Sequence, residues 1–400
     1  MIAQSQPSAR VALVESPKRD IRVLQVVENL DSQAVETWLL RVLKEASKDY
    51  AHVHWTFFCV LGQNGRQDST ARELGAEVIH SRHEVGDKVR FVAGLRDVMK
   101  RGAYDVLHCH HDIMSAAYLL ASIGLPFKKR IVHLHNTSMS LPTPSRVKSE
   151  LAREPMRQIC LRMADQIVGI SKEALESLTG NANPQTTRQE SVVHYAIDTN
   201  RFRQASADPV EFRRLIGFDP AAKVLLFVGR MVEYKNPRFV LEVLDHLAKT
   251  DQLVVSVFAG TGDQESSIRE LAKKKSLEDR VRVLGFRDDV PELMMASNIL
   301  IWPSLEEPME GLGLGIVEAQ AAGLPVLMSR GVPEEAIVVP ELVTVLPLSA
   351  GPEMWAQTAA EILDRQHPAR TEYLELVEVS SFSLAAGVSN LMALYDGLDN

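Results

Sequence analysis

A chain of 400 residues is long for one hydrophobic core and sufficient for two domains. With 46% hydrophobic and 24% charged residues and a net charge of -8, it reads as globular and not as a general nucleic-acid binder. Its three cysteines, Cys59, Cys109 and Cys160, are too widely spaced for a disulfide framework or a zinc knuckle, and point to a reducing cytosol.

Residues 1–20 read as a flexible leader, and their charges interrupt every apolar run, so neither a signal-peptide core nor a membrane span is expected there or later. Strands are then expected at 21–27, 53–60, 77–80, 106–109, 130–134, 166–169 and 192–194, with helices at 34–46, 68–74, 85–101 and 113–123 between them. After a polar seam near 198–208 the alternation restarts. Strands are expected at 224–228, 253–259, 281–284, 299–302 and 325–328, with helices at 237–248 and 264–275, and Asn236 and Asp289 placed as helix caps. Short apolar strands alternating with amphipathic helices predict two α/β halves with parallel sheets, and a ligand crevice at the carboxyl ends of their strands.

The segment Glu310-Gly-Leu-Gly-Leu-Gly-Ile-Val-Glu318 sets two carboxylates eight residues apart with glycines at alternate positions between them. If a helix begins near Gly313, the acids lie about 12 Å apart along it, too far for an acid/base pair on local geometry. They fit two grips on one extended ligand better. Glycine amides allow close approach of a sugar or phosphate, and a helix N-terminus favours an anion. A glycine-rich turn with two solvated acids is the plain alternative. Arg230 follows a strand and Lys235 precedes a helix start, positions from which two cations can clamp a diphosphate, although a lone Arg/Lys pair is more often surface charge. His108, His110 and His111 end one strand, and His133 and His135 end another. With Asp112 they suggest either a metal site, a polar catalytic pocket, or buried histidines bonded to backbone. His135, leading into a loop, is the leading single candidate.

Taken in order, Val228-Gly-Arg-Met-Val-Glu-Tyr-Lys-Asn236, Phe258-Ala-Gly-Thr-Gly262, Val283-Leu-Gly-Phe286, Trp302-Pro-Ser304 and the 310–326 block resemble the retaining nucleotide-sugar glycosyltransferases of family 4. Val35-Glu36-Thr37, Tyr104-Asp-Val-Leu-His108, His133-Leu-His-Asn136 and Ile197-Asp198 extend the likeness over residues 21–395, in the bacterial exopolysaccharide and capsule type. The resemblance implies a GT-B fold, α/β, with two Rossmann-like doubly wound domains facing across a cleft. Residues 21–203 would form the acceptor domain and 204–380 the nucleotide-sugar domain, with a helix in 381–400 returning to the first. It implies that Arg230 and Lys235 hold the donor diphosphate and that Glu318 binds the ribose hydroxyls. Glu310 and the amides of Gly311, Leu312, Gly313 and Leu314 would hold the transferred sugar, Phe286 would lie by the base, and His135 beside the reacting carbon.

Retention would follow from a same-face return of the acceptor, with no enzyme nucleophile, no required cofactor and no metal. The implied activity is transfer of a hexose from a nucleotide sugar, taken as a UDP-sugar, to a glycan or lipid-linked acceptor in cell-surface polysaccharide synthesis. The alternatives are a GT-B epimerase or hydrolase of sugar nucleotides, a non-catalytic nucleotide-sugar-binding relative, and a metal hydrolase built on the histidines. A cytoplasmic location is expected. In residues 145–163, Arg146, Glu150, Arg153 and Arg157 fall along one helical stripe, interrupted at Pro155, which reads either as a solvated helix face or as peripheral contact with the inner face of the membrane. Three departures from the family pattern stand out. Gln33-Ala34 replaces Gly-Gly, Tyr195-Ala196 replaces Asn-Gly, and residues 305–309 form a longer link that brings Glu306 and Glu307 toward the site.

Overall fold

The computed structural model describes residues 19–31, 34–138, 146–180, 189–365, 370–396 and 398, side chains included except at 146–150 and 370–371. The leader up to residue 18 and Gln33 lie outside them. Seven strands form the first sheet: β1 (Ile21–Val27), β2 (Val53–Cys59), β3 (Glu77–His80), β4 (Val106–Cys109), β5 (Lys129–Leu134), β6 (Gln166–Gly169) and β7 (Gln189–Val192). Their order is β3-β2-β1-β4-β5-β6-β7, and every pairing is parallel. The second sheet holds β8 (Lys223–Val228), β9 (Val254–Ala259), β10 (Val281–Gly285), β11 (Ile299–Trp302), β12 (Val326–Met328) and β13 (Val343–Val345) in the order β10-β9-β8-β11-β12-β13, again parallel. β1, β4, β8, β9 and β11 read as almost unbroken apolar runs because helices cover both faces.

In each sheet the strand order reverses once, between β1 and β4 and between β8 and β11. At that point adjacent loops leave in opposite directions and open a crevice. The two crevices face each other. Two segments cross between the domains side by side: Ile197 accepts a bridge to Ser383, and its amide donates to Phe382 O at 2.9 Å. Beyond this crossing the helix Leu384–Ala393 packs on the helix Ala34–Ala46 of the first domain. Tyr395, fully buried, then reaches the core of the first sheet.

Three local expectations fail, two of them in part, for identifiable reasons. Asn236 stands at the N-cap position of the helix Pro237–Leu247, but its side chain makes no capping hydrogen bond. It takes a left-handed conformation at φ 51°, closing the preceding 3-10 turn with its amide on Glu233 O at 2.9 Å. Asp289 likewise holds the N-cap position of the helix Val290–Ala296 without a side-chain capping bond, because its carboxylate is engaged by Arg287. Pro155 does not interrupt its helix, which runs through it from Arg146 to Met163. That helix is anchored from outside by buried Cys160 and by Arg157, whose Nε donates to Leu178 O at 2.6 Å. One missing amide is offset by such packing. Arg157 therefore leaves the expected stripe and turns inward, while the side chains of Arg146 and Glu150 lie outside the described residues. No helix among the described residues is long and apolar enough to cross a membrane.

Candidate active site

The cleft between the domains is a cavity of about 570 Å³. Its walls are the segments just past the carboxyl ends of the strands: Glu28 after β1, His110 to Met114 after β4, His135 and Asn136 after β5, Ile170 after β6, and Tyr195 after β7. The second domain contributes Arg230, Tyr234, Lys235, Trp302, and residues 310–312 with Leu314 and Gly315. A second cavity of about 490 Å³ adjoins it at the ends of β8, β9 and β10, lined by Gly229, Arg230, Gly260, Thr261, Phe286 and Arg287, with Asp31 and Arg66 opposite. Arg230 borders both cavities, and its Nη2 donates to the Tyr234 hydroxyl at 2.8 Å. Phe286 is 69% exposed, an aromatic face open to the smaller cavity.

Glu310 is buried in a set of donors that converge from three elements. Lys235 Nζ lies 2.7 Å from its Oε2, Trp302 Nε1 donates to Oε1 at 2.7 Å, and the Ser304 hydroxyl donates to the same oxygen. The Lys235 ammonium also sits 4.4 Å above the Trp302 ring, a cation–π contact that holds it in place. The carboxylate and the cation expected to act separately are thus one unit. Trp302 and Ser304, quoted only as part of a motif, turn out to be its supports.

Gly311 follows, and here the absence of a side chain is required. A Cβ at this position would lie 2.3 Å from the His135 carbonyl oxygen across the cleft. Gly313 takes φ 79° and starts the helix Leu314–Ala321, so the glycine run ends on a helix N-terminus as expected. Glu318 lies in the second turn, half-buried. Burial raises its carboxyl above the usual range, and Arg41 and Arg201 oppose that shift. In the longer link, Glu306 turns away from the cleft and accepts from the Leu348 amide at 3.2 Å. Neither it nor Glu307 lines either cavity. The link instead meets the first domain, where the Thr137 hydroxyl donates to Met309 O.

The histidines form one buried hydrogen-bonded stack. His110 Nε2 donates to Gln25 Oε1 at 2.8 Å, so its Nδ1 must accept from His135 Nε2 at 3.0 Å. His135 Nδ1 then accepts from the Tyr195 hydroxyl at 2.6 Å. On the other side Gln25 Nε2 donates to the Tyr395 hydroxyl at 2.8 Å, Tyr395 donates to His108 Nδ1 at 2.9 Å, and His108 Nε2 donates to His133 Nδ1 at 3.1 Å. The amide orientation of Gln25 fixes every tautomer in the chain. Both ring nitrogens of His135 are therefore committed to protein partners.

Burial lowers the pKa of His108, His110, His133 and His135, and mutual repulsion adds to it for His108, His110 and His135. The nitrogens of His108, His110 and His133 lie close enough together for a metal. However, the His108 and His133 ring planes are 5° apart and their facing nitrogens bond each other, so their lone pairs do not converge on a common point. Asp112 is not aimed at them. Held at φ 42°, it accepts the His135 amide at 2.6 Å and Asn136 Nδ2 at 2.7 Å, and so shapes the loop that carries His135.

Two doubly wound domains enclosing a cleft at their facing switch points define a GT-B protein. Residues 21–193 match the glycosyl transferase 4-like domain, and residues 211–375 match glycosyl transferases group 1. The protein is a glycosyltransferase carrying both domains. The Bacillus subtilis (strain 168) chain named EpsF is 27% identical over 380 residues, 94% of this chain and 96% of that one. An Escherichia coli UDP-Gal:alpha-D-GlcNAc-diphosphoundecaprenol alpha-1,3-galactosyltransferase is 25% identical over 256 residues, 60% of this chain and 62% of that one. Among solved structures, Anabaena HepE in complex with UDP and glucose superposes with a TM-score of 0.74 at 17% identity, covering 94% of this chain and 99% of that one.

Proposed function

We propose that this protein is a retaining hexosyltransferase that moves a sugar from a UDP-sugar to a glycan or lipid-linked acceptor in cell-surface polysaccharide synthesis. The observation that carries the reading is the Lys235–Glu310–Trp302 unit facing His135 across a cleft that adjoins a cavity bordered by Phe286 and Arg230. In this reading the base lies by Phe286, the ribose bonds Glu318, and Arg230 and Lys235 take the diphosphate. Glu310 and the amides of Gly311, Leu312, Gly313 and Leu314 hold the sugar. The bond from the anomeric carbon to the diphosphate oxygen breaks as the acceptor oxygen bonds that carbon from the same face. The acceptor proton passes to the departing phosphate oxygen. Arg230 and Lys235 stabilise the charge that develops there, so the reaction needs no enzyme nucleophile. His135, neutral and locked by Tyr195 and His110, acts by shape and by its carbonyl at the Gly311 contact.

The UDP-glucose bound in a HepE crystal structure, and the UDP-Gal donor and diphosphoundecaprenol-linked acceptor for which the E. coli relative is named, favour this reading. A panel of nucleotide sugars tested for thermal stabilisation, followed by anomeric analysis of the product, checks it. A bound donor at 100 times its Kd raises stability by about 2.7 kcal/mol. Glu318→Ala should weaken donor binding, and His135→Ala should chiefly lower turnover. An inverted product, or stabilisation by no nucleotide sugar, would overturn the reading.

A further inference from the structure

The two walls of the cleft differ in charge. The second domain presents Arg230 and the Lys235–Glu310 ion pair, so among the described residues its one unpaired charge at the cleft is positive. The first domain presents Glu28, Glu36 and Asp112, and the histidines beside them, His110, His111 and His135, are held neutral by burial. Glu36 is the unusual member. It stands in the first turn of the helix Ala34–Ala46 and is only 4% exposed, yet its Oε2 has no hydrogen-bond partner. A buried carboxyl oxygen left unpaired forfeits its hydration without replacement, a loss that a ligand hydroxyl would recover. The carboxyl also accepts a hydrogen bond from its own backbone amide, so this first turn already uses an N–H where an anion would otherwise sit.

We propose that Glu36 seats the acceptor: its Oε2 accepts a hydrogen bond from a hydroxyl of a non-anionic sugar, and the acidic wall around it rejects a phosphorylated one. The inference rests on the cleft being a glycosyl-transfer site and adds the chemistry of its second substrate. Burial first, then the charges of Glu28 and Asp31, raise the Glu36 carboxyl to about 7, as expected for an acid waiting for a donor.

The full chain, saturated with UDP, is titrated with methyl glycosides of glucose, galactose and N-acetylglucosamine, and with glucose 6-phosphate, using ligand-observed NMR. Wild type should bind at least one neutral glycoside and not the phosphate. Glu36→Gln should weaken the glycoside about tenfold, because a neutral amide oxygen is a weaker acceptor than a carboxylate, and Glu36→Lys should admit the phosphate. Equal competition by glucose 6-phosphate in the wild type, binding of neither class, or unchanged glycoside affinity in Glu36→Gln overturns the proposal. UDP affinity is measured alongside. If wild type binds no UDP, the donor reading has failed, whereas UDP binding without the glycoside preference refutes the Glu36 role alone.

Discussion

Lys235 Nζ and the Glu310 carboxylate lie 2.7 Å apart, with only 12% and 6% of their side chains exposed. Two charges withdrawn from water this far are stable only as a pair. Removing one partner should therefore cost more than removing both. Glu310→Ala is expected to lower the free energy of unfolding by about 3–5 kcal/mol, and Glu310→Ala with Lys235→Met by less than the sum of the single changes. Urea titrations of the three variants read the coupling, and strict additivity would contradict it.

Gly311→Ala tests the contact between the domains. Its Cβ would meet the His135 carbonyl oxygen at 2.3 Å and Ile170 Cδ1 at 3.0 Å. Neither neighbour is the free end of a long side chain, so the walls must separate. A misplacement of this order is expected to lower kcat/KM by about 100-fold. The melting temperature should change little, because Gly311 lines the cleft and not the packed interior. Steady-state kinetics alongside calorimetry checks both parts.

The Tyr395 hydroxyl is shared by Gln25 and His108 from the far end of the chain. Tyr395→Phe keeps the ring and strands both partners inside the first sheet. The expected loss of stability is about 1–3 kcal/mol, read by chemical denaturation. No loss would mean that the C-terminal helix docks by apolar contact alone.

Four buried histidines, His108, His110, His133 and His135, and the half-buried His111 have folded-state pKa values below the ordinary 6.5, with His111 near 4 and His133 near 3. Their contribution is complete above about pH 6.5. As pH falls below that value the unfolded chain takes up protons that the folded chain refuses, and stability declines by up to about 1.4 kcal/mol per pH unit for each. Glu36, raised to about 7, works the other way: its contribution is present at low pH and lost as pH rises through that value. Asp112, Glu173 and Glu318, raised by burial, act in the same sense as Glu36, but the five histidines outnumber these four carboxyls, so unfolding midpoints should drop between pH 6.5 and 5. A flat profile there would contradict the neutral stack.

What was legible in the sequence was local. Strands such as Ile21–Val27 and Val106–Cys109 stand out because a strand covered on both faces has to be apolar throughout. Ala34–Ala46 stands out by its helical period. The glycine run ending at Gly313 signals a loop delivered onto a helix. Errors arose where a local rule met a competing partner: Arg287 took the carboxylate of Asp289, and outside packing carried a helix through Pro155.

By itself, then, the sequence determined two α/β halves, the order of most of their strands along the chain, and the stretch from Glu310 to Glu318 as a glycine-rich loop running onto a helix. These depend on neighbours within a few residues, where spacing and residue type are sufficient. Only the tertiary structure decided that Glu310 is bound to Lys235, 75 residues away, that Tyr195 and His110 occupy both nitrogens of His135, and that Glu36 keeps a free oxygen in the cleft. Hydrophobic patterning reports whether a side chain is buried. Which polar atom it meets there depends on how distant segments pack, and that information appears only when the two sheets and the C-terminal helix come together.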